Sequence, residues 1–129
     1  MSVDPLPVAK AAFQAFSQGL QAGEWHTFLD CLTEDFTFWV PAGPLKGEHV
    51  GKEAAADFFK RVNQVFAGGL HIEIQRITQG GNTVVFECQS HGQMFGHPYE
   101  NLAAIAFDVR EQRICAYREY LGVAYHLSQ

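Results

Sequence analysis

The sequence predicts an α+β domain: three helices, then a curved antiparallel sheet that wraps around them as a cone with an open mouth. Two observations carry this. Apolar residues recur at helical spacing as far as Phe66, and from Leu70 onward apolar and polar residues alternate. Helices grouped before strands, without a repeating βα unit, is the order of an α+β fold rather than a parallel α/β one.

Each element follows from its own stretch. From Pro5 to Gly19, Val8, Ala12, Phe13 and Phe16 fall on one helical face, and Leu20 extends it. Gly23, in "QAGEW", ends this helix. Trp25, Phe28, Leu29 and Leu32 then form an i, i+3, i+4, i+7 stripe, which predicts a second helix. "TEDFTFWV" is rich in Thr and aromatic residues and reads as a strand. "PAGPLKGEHVG", with two Pro and three Gly, reads as a loop. A third helix runs from Lys52 to Phe66, with Ala55, Phe58, Phe59, Val62 and Phe66 along one side. "LHIEIQRI" alternates as a strand, and "QGGN" turns the chain. "TVVFECQSH" and "YENLAAIAFDV" are the next strands, joined near "FGHP". After the turn at "VREQ", "RICAYREYLGVAYHL" is the last.

The 129 residues fit one domain, and no internal repeat or linker divides them. The formal net charge is −5 and no run of Lys or Arg occurs, which sets nucleic-acid binding aside, since that needs a basic footprint. No segment approaches the ~18–20 apolar residues of a membrane span. "MSVDPLPVAK" lacks the basic start and apolar stretch of a secretory signal. Cys31, Cys88 and Cys115 are odd in number and widely spaced, so a disulfide framework is not expected; a reduced, cytoplasmic setting is. The eleven Phe can fill a core or line an apolar cavity.

Several phrases line up with one family. "GLQAGEWHTFLDCLTEDFTFWVPAGPLKGEHVGKEAAADFF", with Gly23-Glu24, Glu34-Asp35, Gly47 and Gly51-Lys52-Glu53 in order, resembles the front half of the SnoaL-like and ketosteroid-isomerase-like proteins of the nuclear-transport-factor-2-like superfamily. "GHPYEN" and "RICAYREYLG" look like that family's hairpin and closing strand, so the resemblance covers about Val8 to Val123. It implies a cystatin-like α+β barrel with one deep apolar pocket, and a homodimer formed through the sheet. It does not imply one activity, because the superfamily includes isomerases, cyclases, dehydratases, epoxide hydrolases and non-catalytic binding modules.

The family's catalytic positions are apolar in this chain. The aspartate that moves the proton in ketosteroid isomerases falls on Val40, the first-helix tyrosine on Phe16, and the second acid near Ala103. Val, Phe and Ala supply neither a base nor donors for an enolate. The aspartate that SnoaL-like cyclases often carry two residues after the tyrosine of "REY" falls on Gly122. The acids and arginine of the epoxide hydrolases are not found as a full set.

Strand parity, combined with the family's pattern, turns Arg118, Tyr120 and Gly122 toward the pocket. Tyr99, Asn101 and Ala103 share one face of their strand; Val85, Glu87, Gln89 and His91 share one face of theirs. Glu87, Asn101, Arg118 and Tyr120 are therefore expected to converge, with Phe16, Trp39 and Phe58 as apolar walls. Tyr99 joins them as a ligand-binding candidate. An inward arginine needs a partner, and Glu87 is the expected one. That pair either holds a ligand oxygen, with Glu87 as a base, or is structural. Tyr120 and His91 are the other catalytic candidates; the alternatives are packing for Tyr120 and an exposed hairpin position for His91 and His97. His71 is expected outward. No H-x-H, H-E-x-x-H or paired Cys/His motif occurs, so no metal is expected, nor any cofactor. The reading is a small-molecule-binding protein, of isomerase or cyclase type on a hydrophobic ring-bearing substrate. The alternative is a non-catalytic binding or dimerisation module.

Overall fold

The computed structural model describes residues 4–123. Three helices, α1 (Pro5–Ala22), α2 (His26–Asp30) and α3 (Lys52–Val65), accompany six strands. The strands are β1 (Leu32–Val40), β2 (Gly47–Val50), β3 (Leu70–Gly80), β4 (Thr83–Met94), β5 (His97–Arg110) and β6 (Arg113–Leu121). They form one curved, unclosed sheet in the order β2-β1-β6-β5-β4-β3. The α+β class and the wrapped arrangement are as the sequence predicts.

The structure differs from the sequence reading in three details. The sheet is mixed, because β1 runs parallel to β6. The stretch read as loop contains β2, which pairs antiparallel with Thr37–Val40 of β1; four residues with two polar side chains are too short to show an alternation. Leu32 opens β1 instead of closing α2. Its pairing opposite Ile114, and the hydrogen bond from Ile114 N–H to the Cys31 carbonyl (2.8 Å), hold it in the sheet. Residues 124–127 of the last expected strand lie outside the described residues.

Local chemistry fixes the helix ends. The Asp4 carboxylate accepts from Leu6 N–H (3.1 Å), and Pro5 occupies the first turn of α1, where a missing N–H costs nothing. Gly23, at φ 81°, closes α1 in the left-handed conformation and donates to the Gly19 carbonyl (2.8 Å).

The helices pack on the inner face of the sheet through aromatic rings. Phe13 stacks on Phe86 with centroids 4.3 Å apart, and Trp25 stacks on Phe59 at 4.5 Å. Phe16 meets both Phe59 (6.0 Å) and Tyr117 (5.7 Å). Each such ring contributes about 1.5–3 kcal/mol through burial, and tilted or edge-to-face pairs add to that. In β4 the inward residues are Val84, Phe86, Cys88 and Ser90, all buried, alternating with Val85, Glu87, Gln89 and His91.

The Trp25 indole is held by Asn63. Its Nε1–H donates to Asn63 Oδ1 (2.5 Å), and Asn63 Nδ2 donates to the Gly19 carbonyl (3.2 Å). Gly19 itself lies beneath the indole, where a Cβ would overlap the ring. Helix propensity alone favours Ala over Gly by up to about 1 kcal/mol. Here the clash outweighs it, because the ring is wedged against Phe59 and Phe28. Gly19→Ala is expected to lower stability by about 1–3 kcal/mol in urea unfolding; a midpoint equal to or above wild type would refute this packing.

Candidate functional site

A cavity of about 930 Å³ lies between α1, α3 and the inner face of the sheet. Phe16 and Leu20 come from α1, Phe58, Phe59 and Val62 from α3, and Ile72, Ser90, Ala103 and Ile105 from β3, β4 and β5. Tyr117, Glu119 and Leu121 of β6 complete the wall. The rings fill one end of the concave face as core, and the space beyond them stays open.

The β4–β5 hairpin forms part of the mouth. Its two-residue turn, Phe95-Gly96, has φ of 51° and 83°, positive at both positions as in a type I′ hairpin turn. Positive φ is unusual for a bulky residue. Phe95 N–H donates to the Val65 carbonyl (2.9 Å), which ties the turn to the end of α3, and the Phe95 ring borders the cavity.

Glu119 is the carboxylate of this wall. Its Oε1 accepts from the Tyr117 hydroxyl (2.6 Å), and Tyr117 is buried under Phe16 and Phe59. Among the described residues no donor reaches Glu119 Oε2, and no Lys or Arg lines the cavity. Burial pushes the Glu119 pKa above the ordinary carboxylate value, against the lowering effect of the Tyr117 hydrogen bond. Burial, and then the neighbouring Glu119 charge, push the Tyr117 hydroxyl well above the ordinary phenol value. Tyr117 therefore remains a hydrogen-bond donor. Cys88 is also on the inner side, and burial pushes its thiol up to about 12, which removes it as a nucleophile.

The candidate residues read from the sequence divide between the two faces. Phe16, Phe58 and Tyr99 line the cavity. Asn101 is buried, but its side chain ties strands together. Its Nδ2 donates to the Tyr99 hydroxyl (2.9 Å) and the Val123 carbonyl (2.8 Å), while Oδ1 accepts from the N–H groups of Leu102 and Val123.

Glu87, His91, Arg118, Tyr120 and Trp39 do not join them. Tyr117 and Leu121 carry the apolar face of β6 inward, so Arg118 and Tyr120 point to the opposite side of the sheet. Arg118 forms two hydrogen bonds with Asp108 (2.9 Å each), and Thr83 adds a third to that carboxylate (2.7 Å). The expected Arg118–Glu87 pair is absent; Glu87 binds Arg76 on β3 instead (2.6 Å). Trp39 packs against Tyr120 on the outer face (5.5 Å) rather than forming a cavity wall. His91 is exposed there and stacks on His71 (5.2 Å). His97 is exposed at the cavity rim. The described residues contain no group of three or more His, Cys, Asp or Glu able to hold a metal.

The sequence reading missed Tyr117, Glu119 and Asp108. The first two were placed on the other face of β6, and a direct signal existed: Tyr117 and Leu121 make the more apolar alternate set.

A family model for the SnoaL-like domain matches residues 13–117. The chain belongs to the SnoaL-like domain family. An NTF2-like protein from Anabaena variabilis ATCC 29413 is 50% identical, covers 93% of this chain and 90% of its own, and superposes with a TM-score of 0.90. A candidate SnoaL-like polyketide cyclase from Jannaschia sp. CCS1 is 16% identical, with coverage of 95% and 91% and a TM-score of 0.78. An LEH-like epoxide hydrolase of M. tuberculosis is 22% identical, with coverage of 89% and 83% and a TM-score of 0.68. These last two share the fold. No curated protein matches the sequence significantly. No helix among the described residues is long and apolar enough to cross a membrane.

Because the folded protein holds the Glu119 proton more tightly than the unfolded chain, its contribution to stability declines as pH rises above about 4.3 and levels off above the folded pKa. Glu119→Gln keeps an acceptor for Tyr117 and does not titrate. Its stability relative to wild type is therefore expected to improve between about pH 4.5 and pH 8, read by urea unfolding at both values. A pH-independent difference would contradict the placement of Glu119.

Proposed function

We propose that this chain binds a hydrophobic small molecule in the cavity and that Glu119, oriented by Tyr117, exchanges a proton with it, an isomerase- or cyclase-type reaction. The observation that carries the reading is the Tyr117–Glu119 pair, a hydrogen-bonded carboxyl in a largely apolar wall (2.6 Å). A carboxyl whose pKa is raised by burial is better matched to proton transfer near neutral pH than an exposed one. Tyr117 holds one carboxyl oxygen, and no donor among the described residues reaches the other. This acid does not occupy any of the family positions that fall on Val40, Ala103 and Gly122, so no family reaction is transferred with it. A cytoplasmic setting fits the free thiols of Cys31, Cys88 and Cys115.

Thermal-shift and turnover measurements with steroids, polyketide-like aromatics and terpenoids test this. Wild type should be stabilised by at least one of them, by about 2.7 kcal/mol at a hundredfold excess over Kd. Glu119→Gln should retain that binding while turnover falls by about 100-fold or more. Arg118→Ala should keep both, since Arg118 is bound to Asp108 outside the cavity. Binding without conversion by wild type would favour the non-catalytic module, and no ligand response at all would defeat the reading.

We further propose a homodimer through the outer face of the sheet. Leu102 (58% exposed) and Tyr120 (48% exposed) stand there beside Trp39, an apolar surface that a second copy would cover. Light scattering should give twice the chain mass for wild type and a shift toward monomer for Tyr120→Asp. A monomeric wild type would overturn the proposal.

A further inference from the structure

We infer that the cavity selects a hydrophobic cation, a tertiary or quaternary ammonium whose charge rests on the Glu119 carboxylate and whose carbon groups lie against the rings of Phe16, Phe59 and Tyr117. This deepens the reading above and rests on the cavity being a ligand site.

The argument is one of charge accounting. Glu119 is the carboxylate of the wall, its Oε2 has no donor among the described residues, and no Lys or Arg lines the cavity. The residues outside the described range, 1–3 and 124–129, contain no Lys or Arg either. The arginine that could have neutralised Glu119, Arg118, is its sequence neighbour and points to the other face, into Asp108. An ionised Glu119 thus has hydrogen-bond help from Tyr117 and, among the described residues, no Lys or Arg as counter-charge. A cationic ligand supplies that charge, and an anionic ligand would add repulsion in a weakly screened space.

The rings favour the same sign. Phe59 stands nearly perpendicular to Phe16 (80°) and to Tyr117 (83°), with centroids 6.0 and 5.7 Å apart. These edge-to-face rings are part of the cavity lining, and an alkylated ammonium is attracted to aromatic rings through their quadrupoles. The degree of alkylation also follows. A primary ammonium carries three donors that need acceptors. Beside Glu119, the side-chain acceptors of the lining are the hydroxyl oxygens of Tyr117, Tyr99 and Ser90, with His97 at the rim; the rest of the wall is largely apolar, so acceptors for three donors are few. A tertiary ammonium needs one acceptor and a quaternary ammonium none.

The other titratable groups near Glu119 are Tyr117 on its own strand, Cys88 of β4 behind Tyr117, and Tyr99 and His97 of β5 on the wall and rim. The side chains of α1 and α3 that line the cavity carry none. Tyr117 and Cys88 are held neutral by burial.

The test is calorimetric titration with benzyltrimethylammonium and with its uncharged carbon isostere, neopentylbenzene. At pH 8 the ammonium should bind wild type at least about tenfold more tightly than the hydrocarbon. Its affinity should fall as pH is lowered through the Glu119 titration, in wild type and in His97→Gln alike, while the hydrocarbon's stays level. Glu119→Gln should lose the preference and keep the hydrocarbon. Hydrocarbon binding that equals or exceeds ammonium binding, or an ammonium affinity unaffected by both pH and Glu119→Gln, overturns the cation inference and leaves the ligand site standing. Binding of neither probe to wild type overturns both.

Discussion

The packing of Tyr117 against Phe16 and Phe59 decides the character of both faces of this sheet. The Tyr117 ring lies 5.7 Å from each of them, at a point where α1, α3 and β6 meet. Once it is inward, the two-residue period of the strand leaves no freedom: Glu119 and Leu121 follow it into the cavity, and Arg118 and Tyr120 go outside. Arg118 then needs a partner on the outer face and takes Asp108, whose carboxyl it holds below the ordinary range. The acid that stays inside is left with a phenol as its partner.

The order of elements, the α+β class and the wrapped sheet were legible because they rest on periodicities repeated over many residues. The helical stripes ending at Phe66 and the alternation from Leu70 each accumulate evidence along the chain. The candidate site depended instead on single parity choices. In β4 the local pattern was unambiguous, with Val84, Phe86 and Cys88 on one side and Glu87, Gln89 and His91 on the other. Glu87 therefore stands on the outer face, where it pairs with Arg76 instead of Arg118. In β6 each alternate set contains a tyrosine and a charged residue, so local pattern separates them only weakly, and the family's usual orientation does not hold in this chain. The true partner, Asp108, lies ten residues away across the β5–β6 hairpin, and its use is set by a register that no local pattern prints.

The positions that the resemblance aligns with a catalytic aspartate (Val40), a tyrosine (Phe16) and the cyclases' aspartate (Gly122) are taken up by packing. Val40 and Phe16 are buried, and Gly122 lies against the Leu102 backbone, where a Cβ would come within 3.2 Å of the carbonyl oxygen. An aspartate at residue 122 would therefore require the strand pair to shift. The polar centre of the cavity stands instead on β6, one turn of the pleat beyond Tyr117, and its environment is set by the aromatic core that also holds the helices to the sheet.

The parallel pairing of β1 with β6 has a consequence for the order in which the molecule can assemble. The hairpins β3–β4, β4–β5 and β5–β6 join strands adjacent in the sequence, so they can form as the chain emerges. β1 and β2 reach the rest of the sheet only through β6, whose residues are made about eighty positions later than Leu32. During synthesis the edge of β1 that faces β6 has no neighbour, and its Phe36 and Phe38 belong to a core not yet closed. Closing so long a loop is entropically slow. The first strand of this protein is thus the one whose unpaired edge is exposed longest to other nascent chains or to chaperones.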